Sequence, residues 1–244
     1  MRIPHIYLPV PLSVGARIPL TPAAFNHVVR VLHLESGAAL TLFNGTGGEF
    51  QAVLDSVTRR AATARIDTFI PRELESSLPV LLVQGVSRSE PMHYTLQKAV
   101  ELGVTAIAPV MTARSVVNLE TERLRNRLQH WRSVVVSACE QCGRNRLPVL
   151  LEPMSLTDWL QAGHRQGSGL VLDPLAKQGL RDISRPAGSV SLLIGPEGGL
   201  SRAEIALAEA AGFIAVRLGS RIMRTETAGL AALTAVQVLW GDLG

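Results

Sequence analysis

Apolar and polar positions along the 244-residue chain change rhythm near residue 72. Before that point the apolar runs are short, several alternate with polar residues, and turn-forming residues separate them. AALTLFNGTGGEFQAVLDSV (38–57) reads as a hairpin: a strand, an Asn-Gly turn with further glycines, and a returning strand. AATARIDTFI (61–70) reads as another strand. One helical stretch, TPAAFNHVVRVLHL (21–34), opens on Thr21 as N-cap with Pro22 just inside it. Residues 1–72 are therefore expected to form a small β-rich domain.

PRELESSLPV (71–80), a polar run bracketed by Pro71 and Pro79, reads as a linker. Beyond it strands and helices alternate. VLLVQGV (80–86) is a buried strand, and MHYTLQKAVEL (92–102) is a helix stopped by Gly103. VTAIAPV (104–110) is a strand, and ETERLRNRLQHWRSVVVSACEQC (120–142) is a long helix ended by Gly143. GLVLD (169–173), VSLLIG (190–195) and IAVRLG (214–219) are three more strands, and TAGLAALTAVQVLW (227–240) is a final helix. Such alternation predicts an α/β domain over 73–244, a parallel sheet with helices on both faces.

With 47% hydrophobic and 18% charged residues, the composition is that of a soluble protein with ample core. MRIPHIYLPVPL, broken by Pro4, Pro9, Pro11 and His5, makes a poor signal peptide. The uncharged stretch from Thr227 to Gly241 falls short of the roughly 18 apolar residues of a membrane span. A cytoplasmic location without membrane association is expected. Net charge is +4, and all but Lys98 and Lys177 of the 24 basic residues are arginine. The planar guanidinium grips phosphates and stacks on bases, which suggests an RNA partner. A lone C-x-x-C, Cys139 and Cys142, lacks the second pair that zinc needs. It closes a helix, where a redox pair would open one. Reduced thiols and no metal are expected.

The most informative stretch is LLIGPEGGLSRAEI (192–205), an apolar run, a glycine turn and a helix start. Ser201 and Glu204 form a capping box, which places the helix start. The turn thus follows the carboxyl end of a strand, where open α/β sheets bind ligands. It has neither G-x-x-x-x-G-K-[ST] nor G-x-G-x-x-G spacing, and Glu197 would repel a polyphosphate. A cationic ligand without phosphates, such as S-adenosylmethionine, suits it; a tight turn with a surface glutamate is the alternative. In LGSRIMRTETAGLAALTA (218–235), Arg224 and Glu226 flank a second strand-to-helix turn. They are either ordinary capping groups or a compact set for binding and charge stabilisation.

LLIGPEGGLSRAEI and LGSRIMRTETA resemble the C-terminal half of SPOUT methyltransferases. More closely, the chain resembles the bacterial 16S ribosomal RNA uridine-N3 methyltransferase family. The likeness also takes in MRIPHIYLP, QKAVELGVTAIAP, SACEQCGRNRLP and ALTAVQVLWGDLG. It implies a PUA-like β-barrel at the N-terminus, a catalytic domain with a C-terminal deep trefoil knot, and a homodimer with its active site near the subunit interface. It also implies that Leu172, Asp173, Pro174, Gly195, Pro196, Glu197, Gly198, Leu218, Ile222, Met223 and Thr225 hold the methyl donor. Leu218, Ile222 and Met223 would wall the adenine pocket. The family often has arginine where this chain has His33, lysine where it has Pro91, and leucine where it has Met223.

The implied reaction is an in-line transfer from the sulfonium to N3 of a uridine. Arg224 is the candidate for stabilising charge that develops on O2 and O4, and Glu226 or Glu197 for taking the N3 proton. The RNA, 16S rRNA alone or in the assembled small subunit, would meet Arg30, His33, Arg88, Arg114, Arg144 and Arg146. Arg123, Arg125 and Arg127 read as a solvated helix face. Two other readings stay open: a knotted methyltransferase for another rRNA or tRNA nucleotide, and a non-enzymatic RNA-binding assembly factor. The second leaves Glu197 unexplained.

Overall fold

The structure is a computed structural model describing residues 3–115 and 121–244, with side chains in the helix from 121 described from 124 onward. The Arg123 side chain lies outside the described residues. The chain divides into two compact units, one of Met1–Glu75 with Val136–Leu147, the other of Ser76–Val135 with Pro148–Gly244. Among the described residues no helix is long and apolar enough to cross a membrane.

The first unit is built on β1 (His5–Tyr7), β2 (Arg17–Pro19), β3 (Ala39–Phe43), β4 (Glu49–Val57) and β5 (Ala62–Ile70). Their order is β1-β3-β4-β5-β2; β1 runs parallel to β3 and the other pairs are antiparallel. The expected hairpin is β3–β4, with Ala39 opposite Val53 and Leu42 opposite Phe50. Alternation decides its inner face: Phe50, Ala52 and Leu54 on β4 and Ala62, Ala64 and Ile66 on β5 are buried with Ile6, Leu8, Leu40 and Leu42. Two register shifts in β4–β5 mark bulges, which bend a sheet.

The helix expected over 21–34 forms differently. Thr21 caps it as expected, accepting from the Ala24 amide at 3.2 Å, but only Pro22–Phe25 (α1) is α-helical. Asn26–Val31 continue as a π-helical turn, and His33 ends the stretch in the left-handed region at φ 52°. Valines 28, 29 and 31 are β-branched, which weakens the α-helical alternative here.

Residues 136–147 are tied into this unit by polar contacts. The Tyr7 amide donates to Glu140 at 3.0 Å, the Asn145 side-chain amide donates to the Arg72 carbonyl, and Arg144 and Arg146 pair with Glu75 and Glu73. Burial holds the Cys139 thiol up at about 12, so it stays protonated. Glu140 is also raised above the usual carboxylate range, chiefly by burial, against the opposing Tyr7 N–H bond. A carboxyl raised by folding stabilises the protein below its unfolded pKa and loses that contribution as pH rises through its folded pKa. Glu140→Gln keeps an acceptor for Tyr7 and removes the buried charge. Thermal unfolding should therefore show the variant more stable than the wild type at pH 8. The gain should vanish toward pH 4; an equal gain at both ends would rule out the ionised carboxylate as its cause.

The second unit holds β6 (Val80–Gly85), α2 (Ser89–Glu101), β7 (Ala106–Met111), α3 (Thr121–Cys142), β8 (Val149–Leu150), β9 (Met154–Ser155) and α4 (Leu156–Gln161). The last turns of α3 count with the first unit. It continues with β10 (Ser168–Leu172), β11 (Val190–Ile194), α5 (Arg202–Ala210), β12 (Phe213–Val216) and α6 (Thr225–Trp240). The sheet is parallel throughout, in the order β12-β10-β11-β6-β7-β8, with β9 also on β7. The short β8, β9 and α4 fall between the elements foreseen from periodicity.

Near-continuous apolar strands are what a sheet covered on both faces requires. Val80, Leu82, Leu192 and Ile194 pack against Met92, Leu96, Trp131, Leu233 and Val236 of α2, α3 and α6. Leu81, Val83 and Leu193, one residue out of phase, pack against Trp159 and Leu160 of α4 and Ile205 and Ala208 of α5. Pro91 sits in the first turn of α2, a position that tolerates proline.

Candidate active site

The carboxyl ends of β10, β11 and β12 open onto one cavity of about 480 Å³. Its walls come from the loops after these strands: Leu172, Asp173 and Pro174 after β10; Gly195, Pro196, Glu197 and Gly198 after β11; Leu218, Ile222, Met223 and Thr225 after β12. These are the eleven residues that the resemblance assigns to the donor. Arg114 lines the same cavity. Arg224 and Glu226 flank Thr225 in the chain but are not among the lining residues.

The glycine turn is held by close backbone approach. A Cβ on Gly195 would lie 2.8 Å from the Gly199 carbonyl carbon and 2.8 Å from the Leu200 nitrogen, so only glycine fits. A Cβ on Gly85, at the end of β6, would lie 2.6 Å from Pro196. Hydrogen bonds then fasten the turn on all sides. The expected capping box is present: Ser201 accepts from the Glu204 amide at 3.2 Å, and Glu204 accepts from the Ser201 amide at 2.8 Å. The second Glu204 oxygen accepts from the Ala113 amide at 2.8 Å, and the Arg114 guanidinium donates to the Gly198 carbonyl at 2.9 Å.

Glu197 has a local partner of its own. Its Oε1 accepts from the Arg88 amide at 2.8 Å, at the N-cap of α2, where no side-chain cap is present. A carboxylate there also suits the positive end of the helix dipole. Behind the turn, fully buried Gln84 donates through Nε2 to the Thr225 hydroxyl at 3.0 Å. That hydroxyl therefore gives its proton to the Gly195 carbonyl, at 2.6 Å. The amide thereby links β6, the start of α6 and the turn.

Asp173, buried at 4% exposure, accepts from both terminal nitrogens of Arg202 at 2.7 and 2.6 Å and from the Leu175 amide at 3.0 Å. The Arg202 bond, above all, holds its carboxyl below the usual range. The apolar residues Leu175 and Ile222, 76% and 87% exposed, stand at the cavity edge. Among the described residues no group of three or more His, Cys, Asp or Glu gathers as a metal site.

The arginines proposed for RNA divide by environment. Arg30 is exposed, with its guanidinium 5.7 Å from the centre of the Phe25 ring, and His33 is exposed. Arg88, Arg114 and Arg146 are exposed, Arg146 in an ion pair with Glu73 at 3.0 Å. Arg144 faces inward: it is 4% exposed and committed to Glu75. This side chain anchors its loop and is not presented to a nucleic acid. Arg125 is exposed and Arg127 partly buried, on α3. Sequence reasoning passed over Gln84, Arg202, Arg217 and Arg221. Only Gln84 left a signal, a lone amide inside an otherwise apolar strand.

Comparison with known proteins places the chain among RNA methyltransferases. An RNA methyltransferase domain model matches residues 74–237, and an RNA methyltransferase PUA domain model matches 20–67. Ribosomal RNA small subunit methyltransferase E of Buchnera aphidicola (subsp. Schizaphis graminum) is 34% identical over 99% of this chain and 98% of its own. A methyltransferase from Legionella pneumophila solved in complex with SAM superposes with a TM-score of 0.96 at 38% identity, over all of both chains. The ribosomal RNA small subunit methyltransferase E of Neisseria gonorrhoeae, bound to S-adenosylmethionine, gives 0.92 at 40% identity, again over all of both chains. With a parallel α/β sheet, a PUA domain match and relatives of this likeness along its whole length, the chain belongs to the ribosomal RNA small subunit methyltransferase E family.

Proposed function

We propose that this protein transfers the methyl group of S-adenosylmethionine to N3 of a uridine in 16S rRNA, free or in the assembled small subunit. The observation that carries the reading is the convergence of three strand-end loops on one cavity floored by the Gly195 turn. The residues present fit that donor. About 480 Å³ lies within the roughly 300–1,000 Å³ range of small-molecule sites. The side walls are apolar at Leu172, Leu218 and Met223, as an adenine requires. Gly195 brings bare backbone to the ligand, and Glu197 suits a cation while opposing a polyphosphate.

When bound, S-adenosylmethionine supplies an electrophilic methyl group on a sulfonium. The protein's task is to hold N3 in line behind it, and positioning of this kind supplies roughly 7–11 kcal/mol. Arg224 donates to the uracil oxygen on which charge develops. Glu226, in the first turn of α6, accepts the N3 proton, since one oxygen of Glu197 is already engaged by the Arg88 amide. We assign RNA docking to the domain of residues 1–72, through Arg30 and His33, and chemistry to 73–244, with Arg88 and Arg114 beside the turn. Such a substrate implies a cytoplasmic location.

We further infer the trefoil knot and the homodimer of the family. Consistent with a threaded C-terminus, β12 pairs with β10, and the Arg217 amide donates to the Gln178 carbonyl at 3.0 Å. For the dimer, Val238, Leu239 and Leu243 are 48%, 43% and 47% exposed near the end of α6 and just beyond it. Titration calorimetry should show one donor molecule per chain. Mass mapping of 16S rRNA from a strain lacking the protein should show a single uridine methyl missing. RNA binding without donor binding would identify an assembly factor and end the enzymatic reading.

A further inference from the structure

The cavity rim carries more cationic than anionic side chains. Arg114, Arg202, Arg217 and Arg221 line it, against the carboxylates of Asp173 and Glu197. The donor's sulfonium and ammonium groups do not call for that excess of positive charge, and its carboxylate is the one anion the donor could set against it. Two of the arginines are occupied: Arg202 grips Asp173 through both terminal nitrogens, and Arg114 donates to the Gly198 carbonyl. Arg217 and Arg221 are exposed, and among the described residues their guanidinium groups have no hydrogen bond or ion pair.

These two side chains sit in the β12–α6 connection, on either side of Leu218 and just before Ile222. Arg217 has a fixed base, because its amide donates to the Gln178 carbonyl at 3.0 Å. Uncompensated guanidinium groups beside apolar wall residues are poised for an anion, and the planar fork matches a phosphate.

We propose that Arg217 and Arg221 form a phosphodiester subsite that clamps the RNA backbone next to the target nucleotide. The inference rests on reading the cavity as the donor site and adds the handle by which the acceptor is held. A base whose N3 must stand behind the methyl group has to leave its stack. Its flanking phosphates then become the accessible groups by which a protein can hold it. The same forks could instead take the donor's own carboxylate, so the test separates the two sources of anion.

The experiment compares the wild type with Arg217→Gln, Arg221→Gln and the double variant; both positions are exposed, and thermal unfolding checks that folding is retained. Calorimetry reads S-adenosylmethionine affinity, and steady-state methylation of 16S rRNA or small subunits is followed across a salt series. Donor Kd should stay within about twofold. KM for RNA should rise about 5–10-fold per substitution, while kcat at saturating RNA changes less. The plot of log kcat/KM against log salt should flatten by about 0.7–0.9 per arginine, the loss of one phosphate contact each. An unchanged KM and salt slope in the double variant would overturn the subsite. So would a donor Kd raised tenfold with an unchanged RNA KM, which would assign the arginines to the donor carboxylate. A wild type that binds no donor overturns the cavity reading, and the subsite falls with it; a bound donor with an unaltered salt slope overturns the subsite alone.

Discussion

Gly195→Ala is expected to weaken S-adenosylmethionine binding about 100-fold or more, a loss of roughly 2.7 kcal/mol. The new methyl group would lie 2.8 Å from the Gly199 carbonyl carbon and 2.8 Å from the Leu200 nitrogen, both backbone atoms. Neither can step aside cheaply. The Gly199 amide is bonded to the Pro196 carbonyl at 2.8 Å, and Leu200 precedes a helix start fixed by the Ser201–Glu204 box. The turn would have to open, which moves the floor of the cavity and costs about 1–3 kcal/mol of stability, as overpacking typically does. Gly198→Ala is the matched control. Its Cβ would meet the Arg114 Cβ at 3.0 Å and Cδ at 3.4 Å, which a shift of a few tenths of an ångström relieves, so a smaller loss, below about tenfold in Kd, is expected. Calorimetry on the two variants, with thermal melts alongside, decides the matter. Normal donor affinity in the Gly195 variant would remove the turn from the binding site.

The second large effect is on turnover. Arg224→Ala should lower kcat about 10²–10³-fold, the usual consequence of removing one preorganised donor from developing negative charge. Donor Kd should stay within about twofold. Arg224 is the N-cap of α6, but its side chain makes no capping bond, so its removal leaves the helix start intact. Single-turnover kinetics with saturating donor isolate the methyl-transfer step. Near-normal rates in a folded variant would show that the charge is stabilised elsewhere.

What the sequence made legible was local. The capping box of Ser201 and Glu204, the glycine turn after an apolar strand, and the change of period near residue 72 are all written in consecutive residues. They suffice for a parallel α/β sheet with a site at its carboxyl edge. The family likeness added the residues of three separate loops, which the fold gathers around one cavity. The rest depended on contacts between residues far apart in the chain. Gln84 and Thr225 are 141 positions apart, and the Arg88 amide and Glu197 are 109 apart, so no periodicity reports either bond. Arg144 looked like a surface cation within CGRNR because its partner, Glu75, lies 69 positions away. Over 21–34 a short α-helical turn passes into a π-helical one, and six residues are too few for apolar spacing to tell the two windings apart.

The anchoring of the glycine turn bears on the thermodynamics of ligand entry. Glu204 reaches the amides of both Ser201 and Ala113, while Glu197 holds that of Arg88, so two carboxylates tie three chain segments together before any small molecule arrives. Preorganisation of this kind spares a binding partner the entropy of ordering its receptor. The remaining conformational loss then falls on the β10 and β12 connections, where the side chains of Leu175 and Ile222 stand in water.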